Sequence, residues 1–240
     1  MTDHREIHDT PSRRLHLGCG STTPTGWVNV DGSWSARLAK HPRLRALLGS
    51  MRLLPSHAAH DGWSRDIVIH DLTRPLPFPD GSFAAIYSSH TLEHLHLSDT
   101  QRLLEECFRV LQPGGVVRMV VPDLKAFVED YLGQRTVWWP EEPFAPRTAA
   151  DRLNRNLMLR PPARVGGSLP TRMYRALVDL HTHKWMYDAD SLAYHMREAG
   201  FTEVAERGFL ESRIAGLADV ERSDRILEGQ GIAVEGVRPS

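Results

Sequence analysis

The sequence predicts an α/β fold: a doubly wound, seven-stranded, mostly parallel sheet with helical lid insertions. Three observations lead there. Short apolar runs alternate with stretches of helical periodicity, the rhythm of βαβ units. The first run breaks into a glycine turn, Gly18-Cys-Gly20. The second ends on an acid, Asp31.

The elements follow in order. Arg14-Leu-His-Leu reads as a buried strand running into that turn, and Trp27-Val-Asn-Val-Asp31 as a second strand. Asp66-Ile-Val-Ile-His-Asp71 is a third, and the proline-rich Leu72 to Pro79 that follows must be loop. Phe83-Ala-Ala-Ile-Tyr-Ser-Ser is the fourth strand. Leu92 to Leu111 carries apolar residues at helical intervals and stops at Gln112-Pro-Gly-Gly115. Val116 to Val121 is a fifth, largely apolar strand. A helix over Ala189 to Ala199, a strand over Thr202 to Phe209 and a last strand over Ile232 to Val237 complete the set.

Two stretches interrupt this rhythm within what reads as a single domain, residues 1–240. Residues 33–65 are helical and partly basic, an insertion over the sheet edge. Residues 133–180 hold Trp138, Trp139 and several prolines. Between Gly133 and Arg175 this stretch has eight arginines (135, 147, 152, 155, 160, 164, 172 and 175) against Glu141, Glu142 and Asp151. Flat aromatic faces beside forked guanidinium groups suit a lid over sugar rings or anionic groups. The same residues also suit a core, a homodimer contact or a solvated face.

Composition narrows the class of function. Lys plus Arg (29) balances Asp plus Glu (30), so there is no broad positive field and nucleic acid is not an expected partner. The two cysteines, Cys19 and Cys107, lie in apolar stretches without disulfide-framework or metal-ligand spacing, which points to a reducing cytoplasm. No run approaches the ~20 apolar residues of a membrane span, and residues 1–14 lack a signal-peptide core.

The glycine turn and Asp31 form one constellation. In a doubly wound sheet the turn lets a ligand approach the backbone, and an acid on the neighbouring strand tip can accept both ribose hydroxyls. Asp31 follows Gly18 by 13 residues and the third glycine of the dinucleotide pattern is missing. Both departures favour a single nucleoside over a nicotinamide dinucleotide.

That constellation keeps specific company: Leu-His-Leu-Gly-Cys-Gly, Gly26-Trp-Val-Asn-Val-Asp31, His70-Asp-Leu with Leu76-Pro-Phe-Pro-Asp80, His90-Thr-Leu-Glu-His94, and Arg109-Val-Leu-Gln-Pro-Gly-Gly115. Together, over residues 15 to 123, these motifs resemble the type 11 group of class I methyltransferases, whose Rossmann-like domain binds S-adenosylmethionine and releases S-adenosylhomocysteine. The resemblance implies that Leu17, Gly18, Cys19 and Gly20 flank the methionine part of the cofactor. It implies further that Asp31 holds the ribose, that Asp71 and Leu72 meet the adenine, and that Ser88, Ser89 and His90 lie near the sulfonium. A looser resemblance, in His183-Lys-Trp-Met-Tyr-Asp-Ala-Asp-Ser-Leu and Gly200-Phe201, is to members associated with polysaccharide and glycolipid biosynthesis. It suggests a saccharide or other small-molecule acceptor.

Methyl transfer to a hydroxyl needs alignment and a proton acceptor. His90 and His94, after the fourth strand, are candidates for that role, as are Asp123 past the fifth strand and His183. His90 could instead cap the following helix, His94 could bridge elements and Asp123 could cap the helix from Leu124. His181-Thr-His183 could present two imidazoles to a metal, yet no further ligand is assured, so no metal set is assigned. Mg²⁺ could position adjacent hydroxyls through Asp123 and nearby acids. Transfer to a small phenolic, polyketide or nitrogen acceptor is the alternative activity. A cofactor-binding but catalytically silent partner protein is the reading from another class.

Overall fold

The structure, a computed structural model, describes residues 13–51, 62–137, 148–158 and 182–240. Trp138, Trp139, His181 and five of the eight arginines of the second insertion (Arg147, Arg160, Arg164, Arg172 and Arg175) lie outside the described residues.

Seven strands form one sheet: β1 (Arg14–Leu17), β2 (Trp27–Asp31), β3 (Val68–Ile69), β4 (Phe83–Ser89), β5 (Leu111–Val121), β6 (Thr202–Arg207) and β7 (Ile232–Val237). Their order is β3-β2-β1-β4-β5-β7-β6. The pairs from β3 to β5 are parallel, and β7 runs antiparallel to both β5 and β6. This is the doubly wound, mostly parallel sheet that the alternation predicts, with chain reversal at β1 and β4 opening a crevice at their C-terminal ends.

The described helices are α1 (Trp34–Ala39), α2 (Pro42–Ser50), α3 (Leu97–Val110), α4 (Leu124–Tyr131), α5 (Ala149–Leu157) and α6 (Ala189–Glu198). α3 and α6 bury Leu103, Leu104, Cys107, Leu192 and Met196 against Leu15, Leu17, Ile86, Val117 and Val234 of the sheet. Among the described residues, no comparable helix packs on the opposite face. Trp27, Ala85, Tyr87, Val116, Val120 and Ala233 pack there against Ile214, Leu217, Val220 and Ile226, from the irregular chain joining β6 to β7. Arg118 of β5, fully buried, ties that chain down. Its guanidinium donates to both Glu221 oxygens, at 2.6 and 3.0 Å, and to the carbonyls of Gly208 and Glu211.

Several boundaries differ from the sequence expectation. β3 keeps only two residues, because it pairs on one side only and Asp71 turns the chain by accepting from the Thr73 N–H and hydroxyl. The helix expected from Leu92 begins at Leu97: residues 92–94 are a 3₁₀ turn, and Leu95 is extended. Leu92 and Leu95 still join the same core, which is why their spacing resembles helix. The Gln112 to Gly115 turn belongs to β5, since Leu111 pairs with Phe83 and the Gly114 N–H donates to the Arg238 carbonyl. β6 ends at Arg207 rather than Phe209. Of the first insertion, α1 buries Ala36 beside Cys19 and Ile67, while α2 buries nothing. Among the described residues no helix is long and apolar enough to cross a membrane.

Candidate functional site

The loops at the C-terminal ends of β1, β2, β4 and β5 converge on one edge of the sheet. At β1, Leu17 is core and the turn beyond it has Gly18 and Gly20 in the left-handed region, at φ +64° and +56°. A Cβ on Gly18 would stand 2.1 Å from the Thr91 hydroxyl, so only glycine fits beneath the loop after β4. A Cβ on Gly20 would meet nothing within 4 Å, so space opens above that residue. Cys19 faces inward, and burial pushes its thiol up to about 12, so it is a spacer and not a nucleophile.

Asp31, buried at the tip of β2, reaches across to this turn. Its Oδ2 accepts from the Gly20 N–H at 2.9 Å and its Oδ1 from the Ser33 N–H at 2.7 Å. Each oxygen keeps a lone pair for another donor, so the carboxylate is pre-oriented and still able to accept. Asp71 is exposed on the next loop. The Thr73 N–H and hydroxyl hold its carboxyl below the usual range. Leu72, beside it, is half-buried against the main core.

At the exit of β4, Ser88 is buried and donates to the Leu17 carbonyl at 3.2 Å, so its hydroxyl is committed to β1. Ser89 has a buried hydroxyl without a partner among the described residues. His90 takes a left-handed φ of +51°, unusual for a residue with a Cβ and typical of strained functional loops. Its Nε2 lies 3.0 Å from the Arg225 carbonyl, which can only accept, so Nε2 carries the proton and Nδ1 the lone pair. Nδ1 is 3.5 Å from Glu93 Oε1. Burial lowers the His90 imidazole to about 4.

Asp123 caps α4, its Oδ1 accepting from the Lys125 N–H at 3.0 Å. Its backbone pairs with Tyr187, whose carbonyl accepts from Leu124. That pairing draws the 182–188 segment onto the site. The Glu93 carbonyl accepts from Lys184 at 2.7 Å and from Trp185 at 3.3 Å, setting His183 edge-on to His94 with ring centroids 5.1 Å apart. Burial lowers His183 to about 4 as well.

His183, 89 positions beyond His94, is thus brought against it, beside the loop of His90 and Thr91 that covers Gly18. Asp123 lies at the same edge but serves the helix. Thr91 and Arg225 are not among the sequence candidates, whereas Glu93 enters through the His90-x-x-Glu-His94 motif as a structural or cofactor-facing residue rather than a base. Nothing in the sequence ties Arg225, 135 positions away, to His90.

Residues 15–119 match a family model described as a methyltransferase domain. A probable S-adenosylmethionine-dependent methyltransferase of Mycolicibacterium smegmatis is 38% identical over 58 residues, which are 24% of this chain and 22% of that protein. The chain therefore spans about a fifth of the curated relative it matches. Among solved structures, a possible histamine N-methyltransferase from Thermotoga maritima aligns with a TM-score of 0.48 and 18% identity, over 95% of this chain and 82% of that one. A methyltransferase from Archaeoglobus fulgidus aligns with a TM-score of 0.48 and 16% identity, over 94% and 86% of the two chains.

Proposed function

We propose that this chain, whose residues 15–119 match a methyltransferase-domain model, is an S-adenosylmethionine-dependent methyltransferase of the class I fold that transfers the methyl group to a hydroxyl of a saccharide or glycosylated metabolite. One observation carries the reading: an open glycine turn, a pre-oriented strand-tip carboxylate and a histidine cluster occupy the same sheet edge.

The donor supplies a methyl carbon activated by sulfonium, so the transfer is an in-line displacement and what remains of the donor is a neutral thioether. The residues present fit it. Gly20 would leave room for its amino-acid tail, Asp31 would accept from its ribose hydroxyls, and the loop of Asp71 and Leu72 would border its adenine. An acceptor hydroxyl must lose its proton as the new O–C bond forms. His90 takes that proton on Nδ1, the nitrogen that its bond to Arg225 leaves unprotonated. The looser resemblance around His183 and the lid composition support a sugar acceptor.

Calorimetric titration with S-adenosylmethionine should give micromolar binding to the full chain. Asp31→Asn, which keeps one oxygen for a backbone N–H, should weaken it at least tenfold with little loss of thermal stability. Undiminished binding to that variant would end the cofactor assignment. With a panel of glycan acceptors read by mass, His90→Ala should slow sugar methylation by about 10²–10⁴-fold while leaving cofactor affinity in place. Methylation of phenols or amines alone, insensitive to His90, would replace the saccharide reading with the small-molecule alternative.

A further inference from the structure

Glu93 presents a problem that methyl transfer does not solve. Its side chain is 0% exposed, and neither carboxylate oxygen has a hydrogen-bond partner among the described residues. An isolated buried carboxyl is costly unless protonated, paired with a cation or bound to a metal. Its neighbours are imidazoles, with His90 Nδ1 at 3.5 Å and His94 Nε2 at 3.9 Å from Oε1. His183, 7% exposed, brings a buried Nδ1 that also lacks a partner among the described residues. One ligating atom from each of Glu93, His94 and His183 falls within a 4.8 Å span.

The cluster is held in place by backbone. The 3₁₀ turn over residues 92–94 sets Glu93 and His94 side by side, and the Glu93 carbonyl clamps the chain just after His183. His94 Nδ1 lies 3.3 Å from the Thr182 carbonyl, an acceptor, so the proton sits on Nδ1 and the lone pair of Nε2 points toward Glu93. Metal-binding histidines are commonly oriented by such a bond from the non-ligating nitrogen.

We propose that Glu93, His94 and His183 form a divalent transition-metal site, with Zn²⁺ the best-matched ion. Two imidazoles and one carboxylate suit zinc and its first-row neighbours, whereas Mg²⁺ favours oxygen ligands. Bonds of roughly 2.0–2.2 Å in a tetrahedral arrangement place ligand atoms about 3.3–3.6 Å apart, so small side-chain rotations close the set. Three protein ligands leave a fourth position for water or an oxygen of the acceptor. This second role rests on the proposed methyl transfer: the ion would hold the acceptor hydroxyl and lower its pKa, and His90 would receive the proton. The binding site itself stands without that reading.

The test uses the full chain, stripped with chelator and titrated with Zn²⁺, with Co²⁺ as a spectroscopic stand-in. One ion should bind per chain, raise the thermal midpoint and give visible cobalt bands of a low-symmetry site. His183→Ala and Glu93→Gln should each weaken binding at least tenfold and abolish those bands. Because Glu93→Gln replaces a buried carboxyl by a neutral amide, that variant should fold without metal. Absence of stoichiometric binding to the stripped wild-type chain would overturn the proposal, as would binding and cobalt bands unchanged in both variants. S-adenosylmethionine titration of the stripped chain separates the two ideas. A chain that binds the cofactor but no metal loses only this inference, and one that binds metal but methylates nothing loses only the proposed activity.

Discussion

Gly18 and Gly20 share a left-handed backbone and differ in what lies above it. The Thr91 hydroxyl fills the place of a Cβ on Gly18, whereas a Cβ on Gly20 would point into open space. Gly18→Ala should therefore destabilise the fold by roughly 2–3 kcal/mol, the φ penalty plus a steric clash. Gly20→Ala should cost about 1 kcal/mol, the backbone penalty alone, yet abolish measurable cofactor binding. Chemical denaturation and calorimetry on the pair would check this, and equal losses of stability would contradict the geometry. The sequence marks both glycines as a turn, and nothing in it distinguishes the two roles, because Thr91 approaches Gly18 only after β1 and β4 pair. Likewise His90 is legible as a histidine following a strand, but its proton is assigned by the Arg225 carbonyl from across the molecule.

Between the elements, the least regular stretch bears the greatest structural demand. The chain from β6 to β7 packs against one sheet face through 3₁₀ turns at residues 217–219, 223–225 and 227–229. It is anchored by the fully buried Arg118–Glu221 pair, with Glu235 3.9 Å from the same guanidinium. Removing one member of a buried pair strands the other charge. Glu221→Ala should cost about 3–5 kcal/mol in urea unfolding, and Arg118→Met with Glu221→Leu together should recover much of that loss. A double variant no more stable than Glu221→Ala would show that packing, not stranded charge, sets the cost. The apolar run Val116 to Val121 identifies β5 from sequence, but an arginine within it argues for an exposed position. Its burial is explained only by Glu221, 103 residues on.

Across the molecule, stability should depend on acid through His16. This imidazole lies beneath Trp27 and Tyr87 and beside Asn29, and burial lowers it to about 4, a shift partly offset by Asn29 and the Asp31 charge. The unfolded chain takes up that proton near the ordinary histidine value, so in acid it binds more protons than the folded chain. Stability from this group is full above about pH 6.5 and is lost as pH falls toward 4, by roughly 1.4 kcal/mol per pH unit. Comparing the pH dependence of unfolding with His16→Gln isolates the effect. Parallel curves for the two proteins would show that His16 does not titrate on unfolding.

The alternation of apolar runs, the glycine turn and the acid 13 residues beyond Gly18 determined the sheet, its mostly parallel sense and the edge at which the turn and Asp31 meet. Those properties are encoded by neighbours in the chain, through periodicity and turn chemistry, and so can be read locally. The order of β7 and β6, the packing of the chain between them against one sheet face and the meeting of Glu93 and His94 with His183 were decided only by tertiary structure. Each depends on contacts between segments tens of residues apart, where burial and backbone hydrogen bonds set the position, and local sequence carries no record of the partner.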